Sequence, residues 1–298
     1  MESIILALIV TQIIAESLPI SSSGHVALVS LITNRWLKIA NASLPDFLDN
    51  LLHGTALLAI LIVFFKDWFV PVKKLLQACA RFLSKAKPLS FAQKNLFYIF
   101  FKIIGLVLVC DLVTSIFYFA IKIKFAGVFC SPESAGANPV FLLAGFVITM
   151  LLLFSLKLQN KRANNPPDVL DLKKALILGA VQGCALLPGI SRFASTYVAG
   201  CWLNLKPARA FQISFLIHLP LIIGAFLFLG VKNLVEATSL TDLTGFTGAS
   251  LIVLLLATVC AVLALKLCYK LAIKNRLWWF GYFMLITIMV LIMTMMVP

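Results

Sequence analysis

The chain has 298 residues, 62% hydrophobic and 12% charged, with a net charge of +14. A soluble globular protein carries roughly 25% charged residues, so this apolar surplus exceeds what one water-facing core can hide, and lipid must solvate much of it. The bases lie in short stretches between apolar runs, not in a groove or tail with interleaved aromatics, which argues against nucleic acid and for membrane topology. None of the seven cysteines stands at CxxC spacing and most fall in apolar runs, so they read as small buried hydrophobes, not as a zinc site or a disulfide frame.

In chain order, the start from Met1 to Ala15 is apolar but has no basic leader region, and Gln12 and Glu16 interrupt its surroundings. It reads as mature protein, not as a signal peptide. Ser3–Thr33 is an apolar segment broken by the polar run Glu16 to His25. Spanning helices are predicted over about Asp49–Phe65, Asn95–Ile121, Pro139–Leu156, Arg209–Gly230, Ala249–Leu271 and Leu277–Val297. Ala175–Leu205 is a second broken segment, interrupted by Pro188 to Thr196. Each half of a broken segment is only about 12 residues, too short to cross at about 1.5 Å per residue. Such a break predicts a helix–loop–helix hairpin that enters and leaves on one side. The fold class expected is an all-α polytopic membrane protein, a single domain over 1–298, with about six transmembrane helices and two re-entrant hairpins.

The two broken segments resemble each other. At a constant offset of 170, Gln12 meets Gln182, Ala15 meets Ala185 and Ser21 meets Ser191. Each segment is followed by three spans, and an odd number inverts the second copy. An inverted repeat is therefore expected, with halves 1–158 and 172–298 joined by a linker at Asn160–Asp171 and the site where the broken helices meet. Bases concentrate in Lys66–Lys94, Lys157–Lys174 and Lys266–Arg276, so these loops are placed in the cytoplasm and loops 122–138 and 231–248 outside. Both termini then face outward.

Two constellations carry chemistry. In the first, Gln12 and Glu16 are four apart and share a helix face. Pro19 ends that helix, and Ser21, Ser22, Ser23 and Gly24 form a turn whose hydroxyls and N–H groups suit an anion. His25 opens the return helix and can move protons near neutral pH. Read structurally, the same run is a capped helix break. In the second, Pro188, Gly189, Ser191, Arg192, Ser195 and Thr196 surround the one base between Lys174 and Lys206. Arginine at the bilayer centre costs roughly 2.5–3.5 kcal/mol on insertion scales, so Arg192 needs a partner. Glu16 is one candidate and a phosphate, matched by two parallel hydrogen bonds, is the other. Together the loops offer an anion clamp (Arg192, Ser191, Thr196), a hydroxyl nucleophile or positioner (Ser22), an acid/base (His25), and a carboxylate for a cation or for activating a nucleophile (Glu16). That set suits phosphoryl transfer. No Walker loop, zinc spacing or dinucleotide fingerprint is present.

The run Gln12-x-x-x-Glu16 with Leu18-Pro19-Ile20-Ser21-Ser22-Ser23-Gly24-His25, the run Pro188-Gly189-Ile190-Ser191-Arg192 with Thr196, and the stretches 51–60 and 214–225 resemble the bacterial undecaprenyl pyrophosphate phosphatases of the bacitracin-resistance type. The resemblance implies hydrolysis of the lipid carrier pyrophosphate to monophosphate and phosphate, recycling the carrier for cell-wall synthesis. It implies a bacterial cytoplasmic membrane location and a site open to the outer face. It implies Glu16, Ser22, His25 and Arg192 as catalytic, with Ser21, Ser23, Gly189, Ser191, Ser195 and Thr196 around the phosphates. It also implies a divalent cation, Mg2+ or Ca2+, at Glu16 and Gln12. The partners expected are a polyprenyl pyrophosphate, membrane lipid and, compatibly, a second copy in a homodimer. Two departures stand out. Gln12 leaves one carboxylate where the family has Glu or Gln, and Phe193 follows the arginine where serine is usual, so that either one phosphate hydroxyl is missing or Ser195 substitutes for it.

The rival from another class is a transporter or flippase of the lipid phosphate, which needs the clamp but no nucleophile with a proton shuttle. An inactive scaffold is disfavoured by the presence of all four key groups. Among other ionisable residues, His53 is expected along the cavity and His218 as a buried neutral histidine. Lys102 and Asp111 are expected to have interhelical partners, with snorkelling the alternative for Lys102, and Trp278, Trp279 and Tyr282 to form an interfacial belt.

Overall fold

The computed structural model describes residues 2–39, 46–83, 90–124, 138–159, 169–236 and 248–297. The expected linker at 160–171 and the loops at 122–138 and 231–248 fall mostly outside them. The described residues form eleven α-helices: α1 (Glu2–Ser17), α2 (Ser22–Leu37), α3 (Asp46–Val63), α4 (Phe65–Leu83), α5 (Phe91–Lys124), α6 (Pro139–Gln159), α7 (Leu172–Cys184), α8 (Arg192–Trp202), α9 (Pro207–Glu236), α10 (Gly248–Ile273) and α11 (Phe280–Met296). Five of them are long and apolar enough to cross a membrane: α5, α6, α9, α10, and the stretch Leu277–Met296 that ends in α11.

The first expected span differs from the prediction. Its helix stops at Val63 and turns by 74° into α4, so the segment 66–94 is not a plain loop. The physical reason is a periodic stripe. Phe64, Trp68, Val72, Leu75 and Cys79 recur at three- and four-residue spacing and face inward, while Lys66, Lys73 and Lys74 are exposed. An amphipathic helix of this kind suits a membrane interface. The 18 residues of α3 still rise about 27 Å, close to the roughly 30 Å of the hydrocarbon core.

Both broken segments are helix–turn–helix hairpins, with tighter breaks than the sequence indicated. In the first, only Leu18–Ser21 is non-helical, so Ser22, Ser23, Gly24 and His25 form the opening turn of α2. In the second, the turn runs from Ala185 to Ser191, and Ser195 and Thr196 lie inside α8. Serine capping explains both corrections. Ser21 Oγ accepts from Gly24 N and Ser191 Oγ from Ala194 N, each at 3.2 Å, and the two caps share one backbone geometry, φ −77°, ψ 111° and φ −79°, ψ 114°.

The tips touch. A Cβ at Gly24 would lie 3.0 Å from Gly189 Cα, and Gly189 has φ +82°, so both contacts require glycine. The open ends lie apart. Arg35, near the end of α2, donates to the carbonyls of Met295 and Val297 at 2.9 Å, at the C-terminus of α11. Trp202, ending α8, donates to Ser155, and nearby Lys157 sits 4.0 Å over the Trp278 ring at the start of that last span. The hairpins therefore meet from opposite ends of the bundle. Contacts between the halves also exchange when the halves are swapped: α1 packs on α10 and α7 on α5, α2 on α11 and α8 on α6, α3 on α10 and α9 on α5.

The core follows this frame. Phe64, Phe193, Tyr197, Phe211, Phe215 and Tyr269 interlock between α3, α8, α9 and α10, with centroids 4.7–6.3 Å apart. Aromatic pairs at this spacing add roughly 0.5–1.5 kcal/mol beyond their buried area. Cys110, Cys201 and Cys268 are buried as expected, whereas Cys184 and Cys260 are exposed. Trp278, Trp279 and Tyr282 cluster as a belt around Lys157. Asp111 finds its interhelical partner in Gln182 at 3.3 Å, while Lys102 instead lies over Tyr98 of its own helix.

Candidate active site

The hairpin tips enclose a cavity of about 190 Å3 whose walls include Glu16, Ser21, Ser22, Ser23, Ser191, Arg192, Phe193, Phe215 and His218. Residues from both hairpins thus face one space. The volume admits a phosphorylated head group but not a long prenyl tail.

Two helices begin at this cavity. The first N–H groups of a helix have no intrahelical acceptor and carry partial positive charge. The serine caps satisfy Gly24 and Ala194, so the N–H groups of Ser22 and Ser23 in α2, and of Arg192 and Phe193 in α8, remain as donors for an anion. Arg192 adds a full charge. Among the described residues its guanidinium has no hydrogen-bond or ion-pair partner, although Glu16 is close enough to act on it electrostatically.

Glu16 is held by other groups. Its Oε2 accepts from Gln12 Nε2 at 3.0 Å and its Oε1 from His53 Nδ1 at 2.9 Å. Gln12 and Glu16 thus share a face as their spacing indicated, and His53 orients the carboxylate from α3. A locked Glu16–Arg192 ion pair is not what the structure contains. As for a cation, no group of three or more His, Cys, Asp or Glu residues capable of holding a metal occurs among the described residues. Two of the roughly four acceptor positions of Glu16 are occupied, and two are free. With Glu16 as the one acidic residue on the described cavity wall, this donor set would suit a cation that takes most of its ligands from a substrate, as Mg2+ commonly does. Gln12, almost fully buried, reaches it only through Glu16.

The other expected residues lie behind the walls. His25 does not line the cavity. Its Nδ1 donates to Ser21 O at 2.7 Å, its Nε2 lies 3.3 Å from Thr287 Oγ1, and Phe146 and Phe283 flank its ring. It pins the serine turn from the rear. Gly189 supports the second turn, its carbonyl accepting from Thr149 Oγ1, which in turn accepts from Ser191 N at 3.0 Å. Thr196 Oγ1 donates back to Arg192 O at 2.9 Å, and Ser195 Oγ is buried without a partner, so neither faces the cavity and Ser195 does not replace a hydroxyl lost at Phe193. In the opposite direction, His218 proves to be a wall residue. A proline two positions on and apolar neighbours concealed it in the sequence. The available signal was its alignment, offset by 165, with His53.

Residues 3–290 match the family model described as bacitracin resistance protein BacA. The chain belongs to this family. Among BacA relatives, a Treponema denticola protein named undecaprenyl-diphosphatase is 32% identical over 278 residues, covering 92% of this chain and 90% of that one. Proteins of the same name from Korarchaeum cryptofilum and Borrelia hermsii are 30% and 27% identical, each over 93% of this chain.

Proposed function

We propose that this BacA-family chain is an undecaprenyl-diphosphatase, hydrolysing the C55 prenyl diphosphate to prenyl monophosphate and inorganic phosphate, and so conferring bacitracin resistance. The observation that carries the reading is Arg192, whose guanidinium has no hydrogen-bond or ion-pair partner among the described residues, facing a cavity that two serine-capped helix starts supply with N–H donors. An unpaired charge withdrawn from water costs several kcal/mol, and a diphosphate supplies the missing anion. The relatives' shared name agrees with it.

In this reading the terminal phosphate lies between the two helix starts, and Arg192 grips it with two parallel hydrogen bonds. Ser22 Oγ, or a water it holds, attacks the terminal phosphorus. The bond to the bridging oxygen breaks, and the prenyl monophosphate leaves with the electron pair; where Ser22 itself attacked, a water then cleaves the phosphoserine, returning the serine hydroxyl and releasing inorganic phosphate. Glu16, the one carboxylate on the wall, takes the nucleophile's proton, held in place by His53 and Gln12. Glu16 would be the residue to hold a divalent cation such as Mg2+ or Ca2+, which would supply charge neutralisation for the diphosphate. His25 acts through the Ser21 carbonyl that it fixes. The prenyl tail extends into lipid.

The two halves form an inverted pair in the bacterial cytoplasmic membrane, with the cavity served from the outer face. The deciding experiment is phosphate release from C55 or C15 prenyl diphosphate by the purified protein in detergent. Release establishes hydrolysis. Binding without release returns the case to carriage of the lipid phosphate. Light scattering of the same preparation tests the homodimer.

A further inference from the structure

The cavity holds one titratable side chain that the mechanism above leaves idle. His218, from α9, stands in the wall between two spaces. On one side is the polar cavity with Ser22, Glu16 and Arg192. On the other is a smaller void whose lining is mostly apolar, from Ala56, Ala59, Ile60, Phe215, Ile222 and Leu265, with Glu16 and Ser17 also on its wall. Its Nδ1 is buried and has no hydrogen-bond partner among the described residues. The other two histidines are already engaged: His25 with Ser21 and Thr287, His53 with Glu16.

The tautomer follows from this geometry. An imidazolium donates from both nitrogens, and Nδ1 has no acceptor to receive its proton. A neutral ring protonated on Nδ1 would bury an unsatisfied N–H, whereas a ring protonated on Nε2 leaves only a buried lone pair at Nδ1. The second arrangement is the less costly. Any hydrogen bond to a ligand therefore runs through Nε2–H.

We propose that His218 is a catalytic residue of this site: a neutral imidazole whose Nε2–H donates to a non-bridging oxygen of the terminal phosphate, beside Arg192, and strengthens as charge redistributes during transfer. It moves no proton. It works as a fixed dipole in a site of low polarity, where such donors act most strongly. Gln12 and Phe193 leave the hairpins one carboxylate and one hydroxyl fewer than they could carry at those positions, and α9 supplies a polar group from a third direction. The inference rests on the phosphatase reading for its substrate, but only on the anion site for its binding.

The test compares His218→Phe, which keeps an aromatic ring without a donor, with His218→Gln, which keeps an N–H near the Nε2 position. Turnover of a C15 prenyl diphosphate, inhibition by inorganic pyrophosphate and the melting temperature in detergent are measured for each. The Phe variant should lose at least about tenfold in kcat/KM, the scale of one hydrogen bond to a charged group, bind pyrophosphate more weakly and melt as the wild type does. The Gln variant should recover most of both losses. Wild-type turnover and pyrophosphate inhibition in the Phe variant would overturn the proposal, as would equal losses in both variants. If the wild type releases no phosphate yet binds pyrophosphate in a His218-dependent way, the substrate reading fails and this inference stands.

Discussion

At the scale of single residues, the site turns on what Arg192 touches. Lysine keeps its charge but not its planar pair of donors. Arg192→Lys should lower kcat/KM at least about tenfold with little change in melting temperature; full turnover by the lysine protein would make Arg192 a structural cation. His25 separates two roles. If it fixes the Ser21 turn through Nδ1, His25→Asn, whose amide can still donate to that carbonyl, should keep much of the activity that His25→Ala loses. If it carries a proton to substrate, both variants should be equally inactive. The sequence made Glu16, Ser22 and Arg192 legible because intramembrane polar groups are costly and so announce themselves. It could not separate wall from support. His25, Ser195 and Thr196 sit in the same motifs as cavity residues, and the helical starts at Ser22 and Arg192 turn them to other faces. His218 is the converse case, a wall residue on a span outside the two polar constellations.

At the scale of elements, serine caps define both hairpins. Removing one should cost about 1 kcal/mol, so Ser191→Ala should lower the melting temperature by a few degrees. Ser191→Asp keeps the cap and places a carboxylate at the phosphate position. It should melt near the wild type yet lose pyrophosphate inhibition, and retained inhibition would place the anion elsewhere. A third cap carries a pH dependence. Asp171 accepts from Lys174 N at 2.8 Å, and that bond holds its carboxyl below the usual carboxylate range. The stabilisation is complete above the unfolded value of about 3.9 and fades as pH falls through the lower folded value. In acid, the wild type should therefore lose more melting temperature than Asp171→Asn does. The long apolar helices were readable because length and composition alone define a span. α4 was not, because its basic content suggested a loop while its three- and four-residue stripe, visible only against a periodic template, specified a helix.

At the scale of the whole molecule, charge and architecture can be combined into an orientation. Phe64 meets Tyr269 with centroids 5.9 Å apart, and Gln212 donates to Asp67 at 2.9 Å, so the start of basic α4 lies at the end of the bundle where α10 finishes and α9 begins. Lys157 over Trp278 brings the third basic segment to the start of the last span. Arg35 with Met295 and Val297 marks the other end of that span. Basic residues near span ends favour the cytoplasm, so the end holding Lys157 and Trp278 should face inward and the end holding Arg35 and Val297 outward. On a cysteine-free background, Asn34→Cys should react with a membrane-impermeant maleimide in intact cells. Lys157→Cys should react only after permeabilisation, and so should Lys73→Cys if the basic segments share one side. Labelling of Lys157→Cys in intact cells would invert the orientation. Reaction of both Asn34→Cys and Lys157→Cys from outside would break the argument at its base, because the last span would then not cross the bilayer between them.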